Sequence, residues 1–427
     1  MRSLTRAAYL VAGHAADLAA AVAPASDQKI LRSLAARRGL VELWERWASE
    51  HRDVSRPLVW MHAPSVGEGL QARPVLELLA ERHGDWQLVY TFFSPSAEAA
   101  AGRLAVDCAG YLPFDTPENA ERMMAALRPS ALVFAKLDVW PLLCEAAVRA
   151  NVPLGLVSAT VAPGSARRGK IAQAVLRDAY AAFDAVGAIS DDHALRLVEL
   201  GCKKERVRVT GDTRYDQVWA RAQGVDRTSG LLRALLSPRP TLIAGSTWPA
   251  DEAVLLRAWP QVTSRVADAR LILAPHEPTP KHLLPIENWA QRSGLSLARL
   301  DSVGAASADV VLVNRVGVLG DLYALGTAAF VGGGFHAAGL HSVLEPAAFG
   351  LPVIFGPQHA NSRDAGLLLD VDAGASVRTA PEARDAIVRW LGAEAALRGG
   401  QARSVVQGGL GASERAYSLV VDLVGRG

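Results

Sequence analysis

Short apolar runs recur along the 427-residue chain, and each is followed by a stretch with helical spacing. In the first half the runs are Leu58–Ala63, Gln87–Phe93, Gly110–Leu112, Ala131–Lys136, Pro153–Ser158, Ala185–Ile189 and Val207–Thr210. Helices are predicted between them over Val66–Leu79, Ala97–Leu104, Glu118–Leu127 and Pro141–Arg149. Strands this apolar are buried on both faces, and strand–helix–strand units enforce parallel pairing. The pattern therefore predicts a parallel sheet with helices on both sides.

A second series follows the polar, proline-bearing stretch Arg227–Pro240. Its strands are Thr241–Ala244, Arg270–Ala274, Val310–Val313, Ala329–Val331 and Pro352–Phe355, with helices near 250–266, 279–293, 319–325, 342–349 and 363–370. The chain thus reads as α/β, with two Rossmann-like doubly wound domains facing a central cleft and a junction near 215–240. The expected domains are 53–215 and 216–410, preceded by a helical segment, 1–52, and followed by a helix within 411–427. That helix, about Ala412–Val424, is compatible with either half. Ligands in open parallel sheets sit at the C-terminal ends of the strands, so functional residues are sought just after strands.

Charge and cysteine content exclude several classes. The 45 Lys and Arg nearly balance the 43 Asp and Glu, which gives no support for a dedicated nucleic-acid binder. Cys108, Cys144 and Cys202 are odd in number and lack CxxC spacing, so neither a disulfide framework nor a zinc site is expected, and a reducing compartment fits. Residues 1–52 are locally basic, with eight Lys/Arg (Arg2, Arg6, Lys29, Arg32, Arg37, Arg38, Arg46, Arg52) against five acids. Ala7–Pro24 is apolar but interrupted by His14 and Asp17. A charge near the centre of a membrane span costs roughly 2.5–3.5 kcal/mol, so a spanning helix is not expected. The segment reads either as an amphipathic helix on a membrane surface or as an ordinary packing helix. Trp44 and Trp47, beside Arg46, suit the interfacial alternative.

Several strand ends carry candidate chemistry. After the first strand, Ser65, Gly67, Glu68 and Gly69 open a helix whose free N–H groups suit an anion. Glu68 there is either a general base or an acid favoured by the helix dipole. Lys136 and Asp138 follow a later strand, as substrate-positioning residues or as a solvated ion pair with each other. In the second half Gly245-Ser246-Thr247 is a phosphate-compatible turn, and His276 again follows a strand. The strongest segment is Gly332-Gly333-Gly334 after a strand, continuing through His341, Ser342 and Glu345. Glycines there allow close backbone approach to a ligand, a helix opening near Ser342 favours a phosphate, and Glu345 can accept from a ribose diol. The segment matches neither the GxGxxG fingerprint nor a P-loop.

At these residues the chain resembles the bacterial 3-deoxy-D-manno-octulosonic acid (Kdo) transferases, sugar-nucleotide glycosyltransferases of the GT-B fold. The resemblance rests on HAPSVGEG (62–69), TFFSPS (91–96), YLPFDTPENA (111–120), KLDVW (136–140), VTGDTRYD (209–216), GSTWPADE (245–252), APHEP (274–278), VGGGF (331–335) and GLHSVLEPAAFGLPVIFGP (339–357), in the family's order. Residues 1–52 also resemble the family's hydrophobic, basic entry segment.

The resemblance implies inverting transfer of Kdo from CMP-Kdo to a hydroxyl of the lipid A precursor (lipid IVA), in lipopolysaccharide synthesis at the cytoplasmic face of the inner membrane. It makes Glu68 the base and places Ser65, Gly67, Lys136 and Asp138 on the acceptor side. Ser246, Thr247, His276, Gly332, Gly333, Gly334, His341, Ser342 and Glu345 fall on the donor side. No metal and no cofactor beyond the donor substrate is implied. Three positions depart from the family pattern: Asp138 stands where Glu is usual, Ser342 where Asn is common, and His276-Glu277 where many members have Arg-His. The alternatives are a GT-B transferase using a UDP- or GDP-sugar, or a related ulosonic acid donor, on another acceptor, and a non-catalytic two-domain nucleotide sensor.

Overall fold

The structure is a computed structural model that describes residues 3–24, 28–337, 339–360 and 362–426. Arg2 and residues 25–27 of the basic segment, the side chain of Lys29, and Gly427 lie outside the described set. The chain forms two compact units, one of Met1–Asp216 with Leu410–Gly427 and one of Gln217–Gly409.

The first unit holds seven strands: β1 Leu58–His62, β2 Gln87–Phe92, β3 Cys108–Tyr111, β4 Ala131–Ala135, β5 Leu154–Ala159, β6 Ala185–Ala188 and β7 Val207–Val209. Their order is β3-β2-β1-β4-β5-β6-β7, and every neighbouring pair is parallel. Every residue of β1, β2, β4 and β5 is buried, as expected of strands covered on both faces. The helix Ala412–Val424 returns to this unit and buries Ala416, Leu419, Val420 and Leu423 in its core. A Cβ on Gly155 of β5 would lie 2.5 Å from Leu423 Cδ1, so glycine makes room for that helix. Asp216 pins the helix entry, its two oxygens accepting Gly411 N–H and Ser413 N–H at 2.7 Å each.

The second unit also has seven parallel strands: β8 Thr241–Thr247, β9 Arg270–Pro275, β10 Leu297–Arg299, β11 Val310–Leu312, β12 Ala328–Val331, β13 Val353–Phe355 and β14 Gly374–Ser376. Their order is β10-β11-β9-β8-β12-β13-β14. The edge strands β10 and β14, three residues each, are absent from the sequence reading. The stretch Arg227–Pro240 belongs to this unit. It contains the helix Gly230–Leu235, which buries Leu232 and Leu235 under the sheet.

The helical N-terminal segment is better packed than its composition suggests. Trp44 is a core residue rather than an interfacial one: its ring fills the space over Gly110 and its indole N–H donates to Tyr111 O at 3.0 Å. Arg37 is buried too, with its guanidinium 3.8 Å above the Phe93 ring and its N–H groups donating to Leu112 O and Phe93 O. Burial pushes its pKa down to about 10. Helix Ser3–Val22 is attached through Arg6 to Glu145 at 2.6 Å and Tyr9 to Asp115 at 2.8 Å.

Candidate functional site

In the first unit the strand order reverses between β1 and β4, the point where doubly wound sheets open a ligand crevice at their C-terminal ends. The segments leaving these two strands carry Ser65, Gly67 and Glu68 from β1, and Lys136 and Asp138 from β4. Ser65 occupies the N-cap position of helix Val66–Arg82, yet its hydroxyl donates to the Glu68 carboxylate instead of capping the backbone. Lys136 Nζ donates to Glu68 Oε1 at 2.8 Å. Burial pushes the Glu68 carboxyl up, but Lys136 and Ser65 together outweigh it and hold the group below the usual carboxylate range. Lys136 has φ of +66°, a left-handed conformation that side chains adopt at a cost. A Cβ on Gly67 would find only Ser65 Oγ, at 3.8 Å, so the backbone there stays open to a ligand.

Lys136 and Asp138 therefore do not pair with each other, contrary to one reading of their spacing. Asp138 Oδ2 instead faces His62 Nε2 at 3.2 Å and accepts from Trp140 Nε1 at 3.0 Å, while Oδ1 accepts from Arg167 at 3.4 Å. Burial raises the Asp138 carboxyl, and the His62, Arg167 and Trp140 contacts reverse that, leaving it low. A carboxylate only accepts, so His62 Nε2 carries the proton and Nδ1 faces the Thr91 hydroxyl at 3.0 Å. His62 is fully buried. His62, Thr91 and Arg167 were not given a role from sequence, although His62 heads the Glu68 motif and Thr91 heads TFFSPS; Arg167 lies in none of the motifs. The VTGDTRYD motif braces the Glu68 helix. Thr213 donates to Gln71 O at 2.7 Å, Gln71 Nε2 donates to Asp212 at 3.3 Å, and Arg214 pairs with Asp212 at 2.7 Å.

In the second unit the order reverses between β8 and β12; Ser246 and Thr247 are the last residues of β8 rather than a turn after it, and the triple glycine follows β12. The glycines serve the protein's own backbone more than a ligand. A Cβ on Gly332 would lie 2.2 Å from Ser246 O, one on Gly333 2.2 Å from Gly339 O, and one on Gly334 2.4 Å from Gly356 N. Such contacts do not occur, so side chains there would push the loop away from β8 and from the turn after β13. Asp251, fully buried, braces the same loop. Its Oδ2 accepts Trp248 N–H at 2.9 Å and Gly333 N–H at 2.8 Å, and Oδ1 accepts Phe335 N–H at 3.0 Å. Sequence reasoning quoted Asp251 within a motif without giving it a role.

The other donor-side candidates fall into distinct environments. Ser246 is partly exposed at a register irregularity of β8, with φ of +54°. Thr247 is fully buried and its hydroxyl donates inward to Glu252 at 2.7 Å, so it does not face a ligand. His276 is exposed, and its ring lies 4.6 Å from those of both Trp248 and His341. His341 Nε2 accepts from Trp248 Nε1 at 3.3 Å. The expected helix over 342–349 is shorter, Leu344–Ala348, and follows Val343, so exposed Ser342 lies before it and does not cap it. Glu345 is in its first turn, where burial raises its carboxyl above the usual range against the opposing pull of Arg221.

Comparison with known proteins bears on the family and the fold. Residues 34–217 match the family model described as 3-Deoxy-D-manno-octulosonic-acid transferase (kdotransferase). The chain is 32% identical over 386 residues to a 3-deoxy-D-manno-octulosonic acid transferase from Bordetella pertussis, covering 86% of this chain and 87% of that one. It is 25% identical to the protein of the same name from Haemophilus influenzae, over 78% of each chain. In fold it is similar to UDP-GlcNAc 2-epimerase from Neisseria meningitidis, with TM-score 0.60 at 11% identity, covering 87% of this chain and all of that one. The two parallel doubly wound sheets are thus those of the GT-B class. The chain belongs to the 3-deoxy-D-manno-octulosonic acid transferase family.

Proposed function

We propose that this enzyme transfers Kdo from CMP-Kdo to a hydroxyl of the lipid A precursor, with inversion, using Glu68 as the general base. Family membership supports the sugar transferred. The observation that carries the mechanism is the Glu68 carboxylate at the strand-order reversal of the first sheet, oriented by Ser65 and Lys136. In this reading the acceptor hydroxyl approaches Glu68, which takes its proton as the oxygen attacks the anomeric carbon. The second unit holds the nucleotide, with Glu345 accepting from the ribose diol. No metal takes part; backbone N–H groups and side chains meet the leaving phosphate. The test is incubation with CMP-Kdo, generated in situ, and a tetra-acylated lipid A precursor, read by mass spectrometry. A product heavier by one or more Kdo residues is expected, and no product from folded enzyme would overturn the assignment and leave another nucleotide sugar as donor.

The acceptor carries acyl chains, so the reading also places the enzyme at a membrane surface. Among the described residues no helix is long and apolar enough to cross a membrane. Val11, Leu18 and Val22 nevertheless stand exposed at spacings that align them on one face of helix Ser3–Val22, which supports an interfacial position.

The Lys136 contact has a kinetic consequence. Burial and Lys136 act on Glu68 in opposite directions, so removing the ammonium leaves burial dominant. Lys136→Met is expected to move the acid limb of the pH–rate profile to higher pH, because Glu68 then holds its proton more tightly. An unmoved limb would mean that Glu68 is not the titrating base.

Glu345→Gln separates stability from binding. The Glu345 pKa is raised in the folded state, so the ionised form destabilises the fold at pH above that value, and the penalty fades as pH falls through it. The variant is expected to melt higher than wild type at pH 8 and equally at acidic pH. It should bind cytidine monophosphate about ten- to a hundredfold more weakly, as for loss of a charged hydrogen bond of about 1.5–3 kcal/mol. Scanning and titration calorimetry read the two effects, and unchanged affinity would remove Glu345 from the nucleotide site.

A further inference from the structure

We infer that Arg167 is the anion-binding residue of the acceptor side and takes up a phosphate or carboxylate group carried by the acceptor. The inference rests on the proposed transfer reaction and deepens it, by naming what the first unit recognises on the acceptor.

Arg167 sits in the short turn Ala166–Arg168, on the segment that follows β5. β5 pairs with β4, so this segment leaves the same edge of the sheet as Lys136 and Asp138. The neighbouring guanidiniums hold the segment itself. Arg168 donates to Pro163 O at 2.6 Å and to Glu199 at 2.9 Å, and Arg196 donates to Val161 O at 3.1 Å. Of the three, Arg167 is the one that reaches Asp138. A bond from guanidinium to carboxylate normally spans about 2.7–2.9 Å. This one spans 3.4 Å. The other polar contact of the Arg167 side chain among the described residues is the Tyr180 hydroxyl. A guanidinium carries five N–H donors, so Arg167 keeps donors to spare, on a side chain that is 31% exposed.

The charges at this edge call for such a donor. Glu68 and Asp138 are both held below the usual carboxylate range, so an anionic acceptor that approaches Glu68 meets two negative groups. Lys136 is already committed to Glu68 at 2.8 Å. Arg167 is the cation beside Asp138 that is only loosely held, and Asp138 keeps His62 and Trp140 on its other oxygen when Arg167 turns to a ligand. A phosphate or carboxylate accepts two parallel N–H groups from one guanidinium, which a compact ammonium cannot match. The lipid A precursor offers both chemistries, phosphates on its disaccharide and a carboxylate once one Kdo is attached.

The test is steady-state kinetics of the full chain with Arg167→Gln, Arg167→Lys and, as a charge control on the same segment, Lys170→Gln, each checked by a melting curve. The acceptors are the tetra-acylated precursor with both phosphates, the two forms lacking one phosphate, and the precursor already bearing one Kdo, used as substrate or as competing inhibitor. Arg167→Gln is expected to raise KM for the full acceptor about tenfold or more, the size of a lost hydrogen bond to a charged group. Its kcat and its KM for CMP-Kdo should stay near wild type, as for loss of uniform binding. Arg167→Lys should recover part of the loss, and Lys170→Gln should show none. Removing the phosphate that Arg167 holds should weaken wild type by a similar factor and Arg167→Gln no further. If neither phosphate couples to Arg167 but affinity for the Kdo-bearing acceptor falls in Arg167→Gln, the carboxylate is the anion. Coupling to none of these groups, or an equal loss in Lys170→Gln, overturns the inference and leaves the transfer reading standing. Folded wild type that transfers nothing from CMP-Kdo overturns the transfer reading itself.

Discussion

Glu68→Gln is expected to lower transfer by about 10²–10⁴-fold, the usual contribution of a positioned general base, while the protein stays folded. The amide keeps the shape of the side chain and still offers an oxygen to Ser65 and Lys136, so the helix start at Val66 is unchanged. What it loses is proton affinity. The ion pair with Lys136 is partly exposed, so its removal should cost no more than about 1 kcal/mol. Turnover measured by mass spectrometry, beside a melting curve, separates loss of chemistry from loss of fold. A folded variant with near wild-type turnover would show that another group takes the proton. His62 and Asp138 would then be the next residues to test, because they share the same strand-order reversal.

Asp251→Ala is expected to be the most damaging single change in the second unit. It leaves three N–H groups, those of Trp248, Gly333 and Phe335, without their acceptor. Each orphaned buried donor costs about 1–3 kcal/mol, so a total of about 3–5 kcal/mol is expected after partial rescue by water. For a unit of this size that lowers the melting temperature by roughly 10 °C. Nucleotide affinity should fall with it, because the same bonds place Trp248 and the start of the glycine loop. Asp251→Asn keeps only one acceptor oxygen and should fall between the two. An Ala variant that melts like wild type would show that the loop is held by its glycine packing alone.

The central strands were legible because burial on both faces leaves unbroken apolar runs, as in β1, β4 and β9. The edge strands were not. β10 and β14 are short and include small or polar residues, and their pairing depends on a neighbour far away in sequence. Helix Ala395–Gly408 was hidden for a different reason: glycines at 399 and 400 and the lack of an apolar stripe remove the helical signature. In the site, motif and position picked out Glu68, but not which cation faces it. Lys136 and Asp138 are two residues apart, and only the left-handed turn at Lys136 sends them to different partners, Glu68 and His62. The triple glycine was read as space for a ligand, and the structure fills that space with the backbone of Ser246, Gly339 and Gly356. Sequence marks a glycine as necessary without saying what comes close to it.

Asp216 receives the chain twice, once as it leaves the first sheet and again when Gly411 and Ser413 return to its carboxylate. During synthesis, that return comes late. The ribosome completes all of Gln217–Gly409 before it delivers the helix whose Leu419, Val420 and Leu423 close the first core. At roughly 5–20 residues per second, the first sheet waits on the order of 10–40 s with that wall missing. The two halves are therefore unequal as fragments. Gln217–Gly409 is one continuous stretch that carries its own core, whereas a chain cut after Asp216 lacks the helix packed against Gly155 and presents apolar surface that a chaperone or a protease can read.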